Sequence, residues 1–296
     1  MRIGIFASAI FLLTASVAHP ASAQDCSPEF TQSSQTVSIT ASEIGTDQVL
    51  RETFGIRVRN QGNGQCSASL RFSWQTTPTG PHGVSYALVS ASQTVDILPA
   101  DIGAPSTASD VFVAGIPSGS GNGRNVPLAV QVPLSWGIGS GLTSSSILVQ
   151  LISPDGQVVD QLNLAIDINV LPSVALRIVG ATGQGRVARV DLGAIENDRI
   201  NRSQPLGVRV WSTSPYQVTY RSANRGALVQ ADLPDRIEYE LRAAGAVVDL
   251  TGNRPSTVGQ RTSSLGDLHS LEVVVPPFEA QAGKYGDRVT ITVTAS

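Results

Sequence analysis

Apolar and polar residues alternate with a period of two along most of this chain. Thr36-Val-Ser-Ile-Thr40, Ile56-Arg-Val-Arg59, Ser67-Ala-Ser-Leu-Arg-Phe-Ser-Trp74, Val208-Arg-Val-Trp211 and Arg288-Val-Thr-Ile-Thr-Val-Thr294 each lay one apolar and one polar row on opposite faces of a strand. Between such runs stand Asn60-Gln-Gly-Asn-Gly64, Ser118-Gly-Ser-Gly-Asn-Gly123 and Ser153-Pro-Asp-Gly156, where Gly and Asn tolerate positive φ and Pro presets a turn. Helical periodicity is almost absent. Short strands separated by turns every 8 to 12 residues or so are the pattern of an antiparallel β-sandwich. The expected class is all-β.

With 296 residues there is material for two ordinary domains, and an internal repeat divides the chain. The segment from Val37-Ser-Ile-Thr-Ala41 through Phe54-Gly-Ile-Arg-Val-Arg-Asn60 is echoed by Val190-Asp-Leu-Gly-Ala-Ile195 through Leu206-Gly-Val-Arg-Val-Trp-Ser212. The reading that follows is two tandem immunoglobulin-like sandwiches, residues 24–171 and residues 172–296. Pro172 and the strand-like Val174-Ala-Leu-Arg-Ile-Val179 mark the junction.

The first 23 residues are read as a secretory signal peptide. Arg2, an apolar stretch from Ile3 to Val17 and Ala21-Ser22-Ala23 supply its basic, apolar and cleavage regions, so the mature chain is expected to begin at Gln24. No later apolar run approaches the roughly 18 to 20 residues that span a bilayer. Export to an oxidising compartment makes the two cysteines, Cys26 and Cys66, an expected disulfide. A formal charge of -3 offers no broad positive field for nucleic acid.

Chemistry-bearing motifs are scarce. Beyond the signal region the histidines are His82 and His269, neither in a motif that pairs a base with a nucleophile, and both are expected at the surface or in turns. No cysteine or histidine cluster has metal-ligand spacing, and the Gly-rich stretches lack the Lys and Ser/Thr of a phosphate loop. No catalysis, metal or cofactor is expected. The Ser/Gly/Pro-rich region from Leu98 to Gly141 instead carries Phe112, Ile116 and Trp136, which would form adhesive loop tips if exposed, meeting an apolar surface or a glycan receptor.

The second half carries a family resemblance. Val190-Asp-Leu-Gly-Ala-Ile, Val208-Arg-Val-Trp-Ser-Thr-Ser-Pro-Tyr-Gln-Val-Thr-Tyr220, Asn224-Arg-Gly-Ala-Leu228, Ile237-Glu-Tyr-Glu-Leu241 and the closing Gln281-Ala-Gly-Lys-Tyr-Gly-Asp-Arg-Val-Thr-Ile-Thr-Val-Thr294 follow in that order. This order resembles the spore coat protein U domain of secreted pilus subunits assembled by the chaperone/usher pathway. Trp211 stands where many relatives carry a cysteine.

The resemblance implies a second sandwich that lacks its last strand and keeps an open groove beside Val289, Ile291 and Val293. It implies as partners a periplasmic chaperone, an outer-membrane usher and a neighbouring pilus subunit whose strand fills the groove. Because Cys26 follows the expected cleavage site by two residues, little chain is left to donate a strand, which implies a place at the pilus tip. Such a protein would pass through the periplasm to the cell surface and serve attachment or biofilm formation. A pilus shaft or adaptor subunit, and a stand-alone secreted carbohydrate-binding module with a complete second sandwich, are the competing readings.

Overall fold

A computed structural model describes residues 26–45, 48–64, 66–79, 83–91, 93–99, 109–119, 121, 123–182, 187–230 and 234–296. The signal segment, His82 and part of the Leu98 to Gly141 region lie outside them. Among the described residues there is no α-helix.

The first half contains β1 (Pro28–Phe30), β2 (Ser34–Ala41), β3 (Gln48–Asn60), β4 (Cys66–Thr79), β5 (Ala87–Ser90), β6 (Gln93–Val95), β7 (Ile97–Leu98), β8 (Val111–Ile116), β9 (Gly123–Leu134), β10 (Gly141–Ile152) and β11 (Val158–Val170). They form two sheets, ordered β1-β3-β9-β5-β6 and β2-β11-β10-β4-β7, with β8 beside β4. The alternation read from the sequence becomes a face assignment. Leu162, Leu164, Ile166, Ile168 and Val170 of β11 are buried while the residues between them face out. Against them pack Ile147, Val149 and Leu151 of β10, Ile56 and Val58 of β3 and Leu70 and Phe72 of β4, forming one core.

β2 closes this sandwich. It runs parallel to β11 from Asn163↔Ser34 to Val170↔Ala41 and contributes buried Val37, Ile39 and Ala41. A buried ion pair pins the segment before β8. Arg71 Nε and Nη2 donate to the two Asp110 carboxylate oxygens at 3.0 and 2.8 Å, a forked geometry suited to desolvated charges.

The second half contains β12 (Val174–Val179), β13 (Asn201–Arg202), β14 (Leu206–Ser212), β15 (Tyr216–Ser222), β16 (Ala227–Val229), β17 (Arg236–Glu238), β18 (Glu240–Ala243), β19 (Ala246–Val247), β20 (Ser256–Val258), β21 (Asp267–Val275) and β22 (Val289–Ala295). One sheet runs β12-β14-β21-β18-β19, with β13 also on β21; the facing sheet has only β20-β15-β22, and β16 pairs with β17. A separate core gathers Val208, Val210, Tyr216, Val218, Tyr220, Ile237 and Leu271.

Strand pairing shows how the halves correspond. β1-β3-β9 matches β12-β14-β21, and β4-β10 matches β15-β22. The repeat aligns Phe54–Asn60 with Leu206–Ser212, and these segments lie in the matching strands β3 and β14. Its other arm differs between the halves. Val37–Ala41 belongs to β2, whereas Val190–Ile195 forms no strand, and Val190 is 38% exposed. β2 is ordered by its backbone pairing with β11, and the described residues of the second half include no strand in the β11 position for Val190–Ile195 to join.

The halves meet at Ser140, Leu171 and Thr213. Ser140 N–H donates to Thr213 carbonyl at 2.7 Å and Thr213 Oγ1 to Leu171 carbonyl at 3.4 Å, while Leu171 N–H holds Ala41 carbonyl within the first half and Thr213 N–H holds Ser173 carbonyl within the second.

Candidate functional site

The missing β11 counterpart leaves an open sheet edge, and β22 is the strand that carries it. Its Val289, Ile291 and Val293 point inward and the intervening threonines point out. The register sets Val293 opposite Val218 and Ile291 opposite Tyr220 of β15. On its other side β22 has no partner among the described residues. All three inward residues are only half-buried, whereas Ile147, Val149 and Leu151 on the matching β10 are fully enclosed. Across the opening lies β12, the edge strand of the other sheet, with Val174 and Ile178 half-buried and Leu176 38% exposed. The result is an apolar groove bordered by unpaired backbone groups, which a strand with alternating apolar residues satisfies.

The closing sequence motif holds β22 in place. Gly286 and Val229 exchange backbone hydrogen bonds at 3.0 Å, and the Tyr285 hydroxyl donates to Gln281 carbonyl at 2.9 Å. The Asp287 carboxylate accepts from Ser222 Oγ at 2.5 Å, Tyr239 hydroxyl at 2.6 Å and Asn224 N–H at 3.1 Å. Ser222 Oγ in turn accepts from Gly226 N–H at 2.8 Å. Burial, and then the neighbouring Asp287 carboxylate, push the Tyr239 hydroxyl well above the ordinary tyrosine range. A Cβ at Gly283 would meet the end of the Gln230 side chain, which would have to turn aside. The motif was visible in the sequence; its work as a latch between β22, the 222–226 turn and Tyr239 was not.

A second polar linkage crosses the core. The fully buried Tyr216 places its hydroxyl 3.0 Å from Asp267 Oδ2 and 2.8 Å from His269 Nε2. Burial, then Asp267, push this hydroxyl up as well. His269 is therefore not a turn or surface residue as the sequence implied. It lies on β21 beside the inward-facing Asp267, where hydrogen bonding to a core tyrosine satisfies it.

The three loop candidates part company. Phe112 points outward from β8 and is 67% exposed. Register pairs it with Ser69, which faces the buried Ile152, and Val158 and Val159 are exposed separately beside the turn between β10 and β11. Ile116 is a correction, because it is fully buried and cannot serve as an exposed tip. The reason is a β-bulge in β8. Ala68 faces Val113 and Cys66 faces Ile116, so an extra residue, with Gly115 at φ 62°, resets the alternation and turns Ile116 inward. Trp136 is half-buried in the turn after β9, at the end of the first sandwich that faces the second.

Cys26 and Cys66 are free thiols in this structure rather than the expected disulfide. They are nevertheless neighbours: burial, then hydrogen bonding to Cys26, push the Cys66 thiol up to about 12. The described His, Cys, Asp and Glu residues form no group able to hold a metal ion, and among the described residues no helix is long and apolar enough to cross a membrane.

No protein-family model matches this chain, and no curated protein matches it. Solved structures do. A chain of the CsuC–CsuE chaperone–tip adhesion subunit pre-assembly complex, from archaic chaperone-usher Csu pili of Acinetobacter baumannii, superposes with a TM-score of 0.50. The match has 12% identity and covers 88% of this chain and 98% of that one. Its likeness shows a shared fold, the immunoglobulin-like one of a chaperone-usher pilus complex. CfaE, the adhesive subunit of CFA/I fimbria of enterotoxigenic Escherichia coli, matches more weakly, with TM-score 0.39 at 12% identity over 89% of this chain and 93% of that one. The CupB6 tip adhesin from Pseudomonas aeruginosa gives 0.36 at 11% identity over 92% and 95%. These two weaker likenesses carry no weight.

Proposed function

We propose that this chain is an exported, non-enzymatic adhesive subunit at the tip of a chaperone–usher pilus, serving attachment to surfaces or biofilm formation. Its two domains would be residues 24–171, which contact the receptor, and residues 172–296, a spore coat U-like pilin domain. The observation that carries the reading is the unpaired edge of β22, whose inward row Val289, Ile291 and Val293 is half-exposed. A periplasmic chaperone, then a neighbouring subunit delivered at an outer-membrane usher, supplies the missing strand.

The tip position rests on how the first strands are used. β1 pairs with β3 and β2 with β11, so the chain from Pro28 onward is built into its own sandwich and is not free to be donated. In an oxidising compartment the neighbouring Cys26 and Cys66 thiols join, tying the start of the mature chain down further. Mass measurement after alkylation of the exported protein tests this bond: two alkylated thiols without prior reduction refute it. Phe112, and separately Val158 and Val159, supply exposed apolar surface suited to adhesion.

Gold-labelled antibody against the first sandwich, applied to intact cells that produce the protein, tests the whole reading. Label confined to fibre ends is expected. Label along the shafts refutes the tip position, and label without fibres turns the reading toward a solitary binding module.

A further inference from the structure

We infer that the cleft between the two sandwiches is a saccharide site, selective for a pyranose that carries a carboxylate. This goes beyond the pilus reading and does not depend on the open edge of β22.

Ser135, Trp136, Gly137 and Ile138 of the first sandwich and the strap from Gln260 to Ser264 of the second line this open cleft together, and they touch where Gly137 lies against the Ser264 backbone. It is a shallow recess of about 610 Å³, open to solvent, that would cover one face of a sugar ring. The strap belongs to no strand, yet its course is fixed. Thr262 N–H donates to Ser212 carbonyl at 3.1 Å, and Ser212 N–H to Thr262 Oγ1 at 2.9 Å. Trp211 Nε1 donates to Ser264 carbonyl at 3.2 Å, and Arg209 Nη1 to Leu265 carbonyl at 2.8 Å. Arg261 reaches across the cleft and donates to Gly137 carbonyl through Nη1.

Apart from Thr262, whose buried hydroxyl helps to hold it, the strap leaves its side chains to the solvent side, which is the preorganisation a ligand site needs. Gln260, Ser263 and Ser264 are exposed. The Trp136 indole N–H meets no acceptor among the described residues, unlike that of Trp211. An aromatic ring offers a platform to the C–H face of a pyranose, while amide and hydroxyl groups match its hydroxyls. The cleft residues include one cation, Arg261, and no carboxylate. With one guanidinium nitrogen committed to Gly137, the others remain to receive an anion by charge-assisted hydrogen bonds. That asymmetry selects an acidic sugar over a neutral one.

The test is titration of the full mature chain with glucuronic acid, galacturonic acid and N-acetylneuraminic acid, using glucose as the neutral control and acetate as the anion without a ring. Saturation-transfer NMR and calorimetry are the readouts. At least one acidic sugar is expected to bind more tightly than glucose, and acetate to bind negligibly. Trp136→Ala is expected to weaken binding about tenfold, the worth of a good aromatic contact, with Trp136→Phe restoring part of it. Arg261→Gln is expected to erase the preference for acid over neutral sugar while the Trp136 contribution persists. Circular dichroism and the thermal midpoint confirm that each variant folds, and the Phe variant keeps the test open if the Ala variant does not.

Equal binding of glucose and the acids refutes the charge selection. Binding unaffected by Trp136→Phe and Trp136→Ala, or no binding of any sugar at millimolar concentration, refutes the site. Strand complementation at β22 is scored separately by chaperone capture, so neither failure implies the other.

Discussion

β10 and β22 hold the same place in their sandwiches, each antiparallel to the strand that follows the matching pair β3 and β14. β10 is covered on its far side by β11, which is covered in turn by β2, and its inward Ile147, Val149 and Leu151 are fully buried. Among the described residues β22 has neither neighbour, and its inward valines and isoleucine are left half-exposed. The same alternating sequence therefore yields a finished sheet in one half and an edge in the other. Alternation specifies which face of a strand is apolar; whether that face is covered depends on which strands are present to pair.

The comparison predicts that a supplied strand converts the second half into the first. Fusing a flexible linker and a second copy of Gln161–Val170 after Ser296 offers β22 the segment that covers β10. Each donor side chain that becomes fully buried contributes about 1.5 to 3 kcal/mol before ordering costs, and completing the burial of Val289, Ile291 and Val293 adds to this. The second sandwich is expected to gain several kcal/mol, read as a higher thermal midpoint and as amide-exchange protection along β22. An unchanged midpoint together with unchanged exchange would break the correspondence between β10 and β22.

A smaller effect separates the two cores. Ile166 is fully buried in β11 between β2 and β10, so Ile166→Ala is expected to cost about 2 to 5 kcal/mol in the unmodified chain. Ile291→Ala removes a half-buried side chain beside an open groove and is expected to cost about 1 kcal/mol. In the strand-fused chain its cost should rise toward that of Ile166→Ala. Denaturant unfolding of the two parent chains and the three variants checks this, and equal costs in the unfused chain would mean that β22 is already covered.

The fold was legible because its signals are local. Period-two runs named β2, β3, β4, β14 and β22 correctly in kind, and the repeat brought β3 and β14 into correspondence. What escaped were features decided by tertiary partners. Val190–Ile195 has the pattern of β2 but lacks the neighbour that makes such a pattern a strand. Ile116 reads as part of a loop tip, yet one bulge at Gly115 sends it into the core. His269 seemed to have no partner because Tyr216 lies 53 residues away in sequence. The cleft beside Trp136 needs Arg261, 124 residues distant from Gly137, and no local pattern joins them.

The subtlest difference between the halves is their response to alkali. Tyr86 is the first half's tyrosine; burial pushes its hydroxyl up to about 12, and Ser145 Oγ hydrogen bonds it at 2.6 Å. The second core holds Tyr216, Tyr220 and Tyr239, all pushed upward by burial, with Asp267 and Asp287 adding to the shift of Tyr216 and Tyr239. A hydroxyl whose folded pKa lies above its unfolded value favours the folded state fully below the unfolded pKa. That contribution is lost as pH rises from about 10 through the folded value, because the unfolded chain releases the proton first. Three such groups against one make the second sandwich the more alkali-sensitive, and it should unfold first above about pH 10. Tyr216→Phe and Tyr239→Phe lower stability at neutral pH, since each removes a hydrogen bond to a carboxylate, but they should flatten the alkaline slope of the second sandwich and leave that of the first unchanged. Amide exchange followed from neutral to alkaline pH separates the two, and a first sandwich that loosens earlier would show that core tyrosines do not control the alkaline limit.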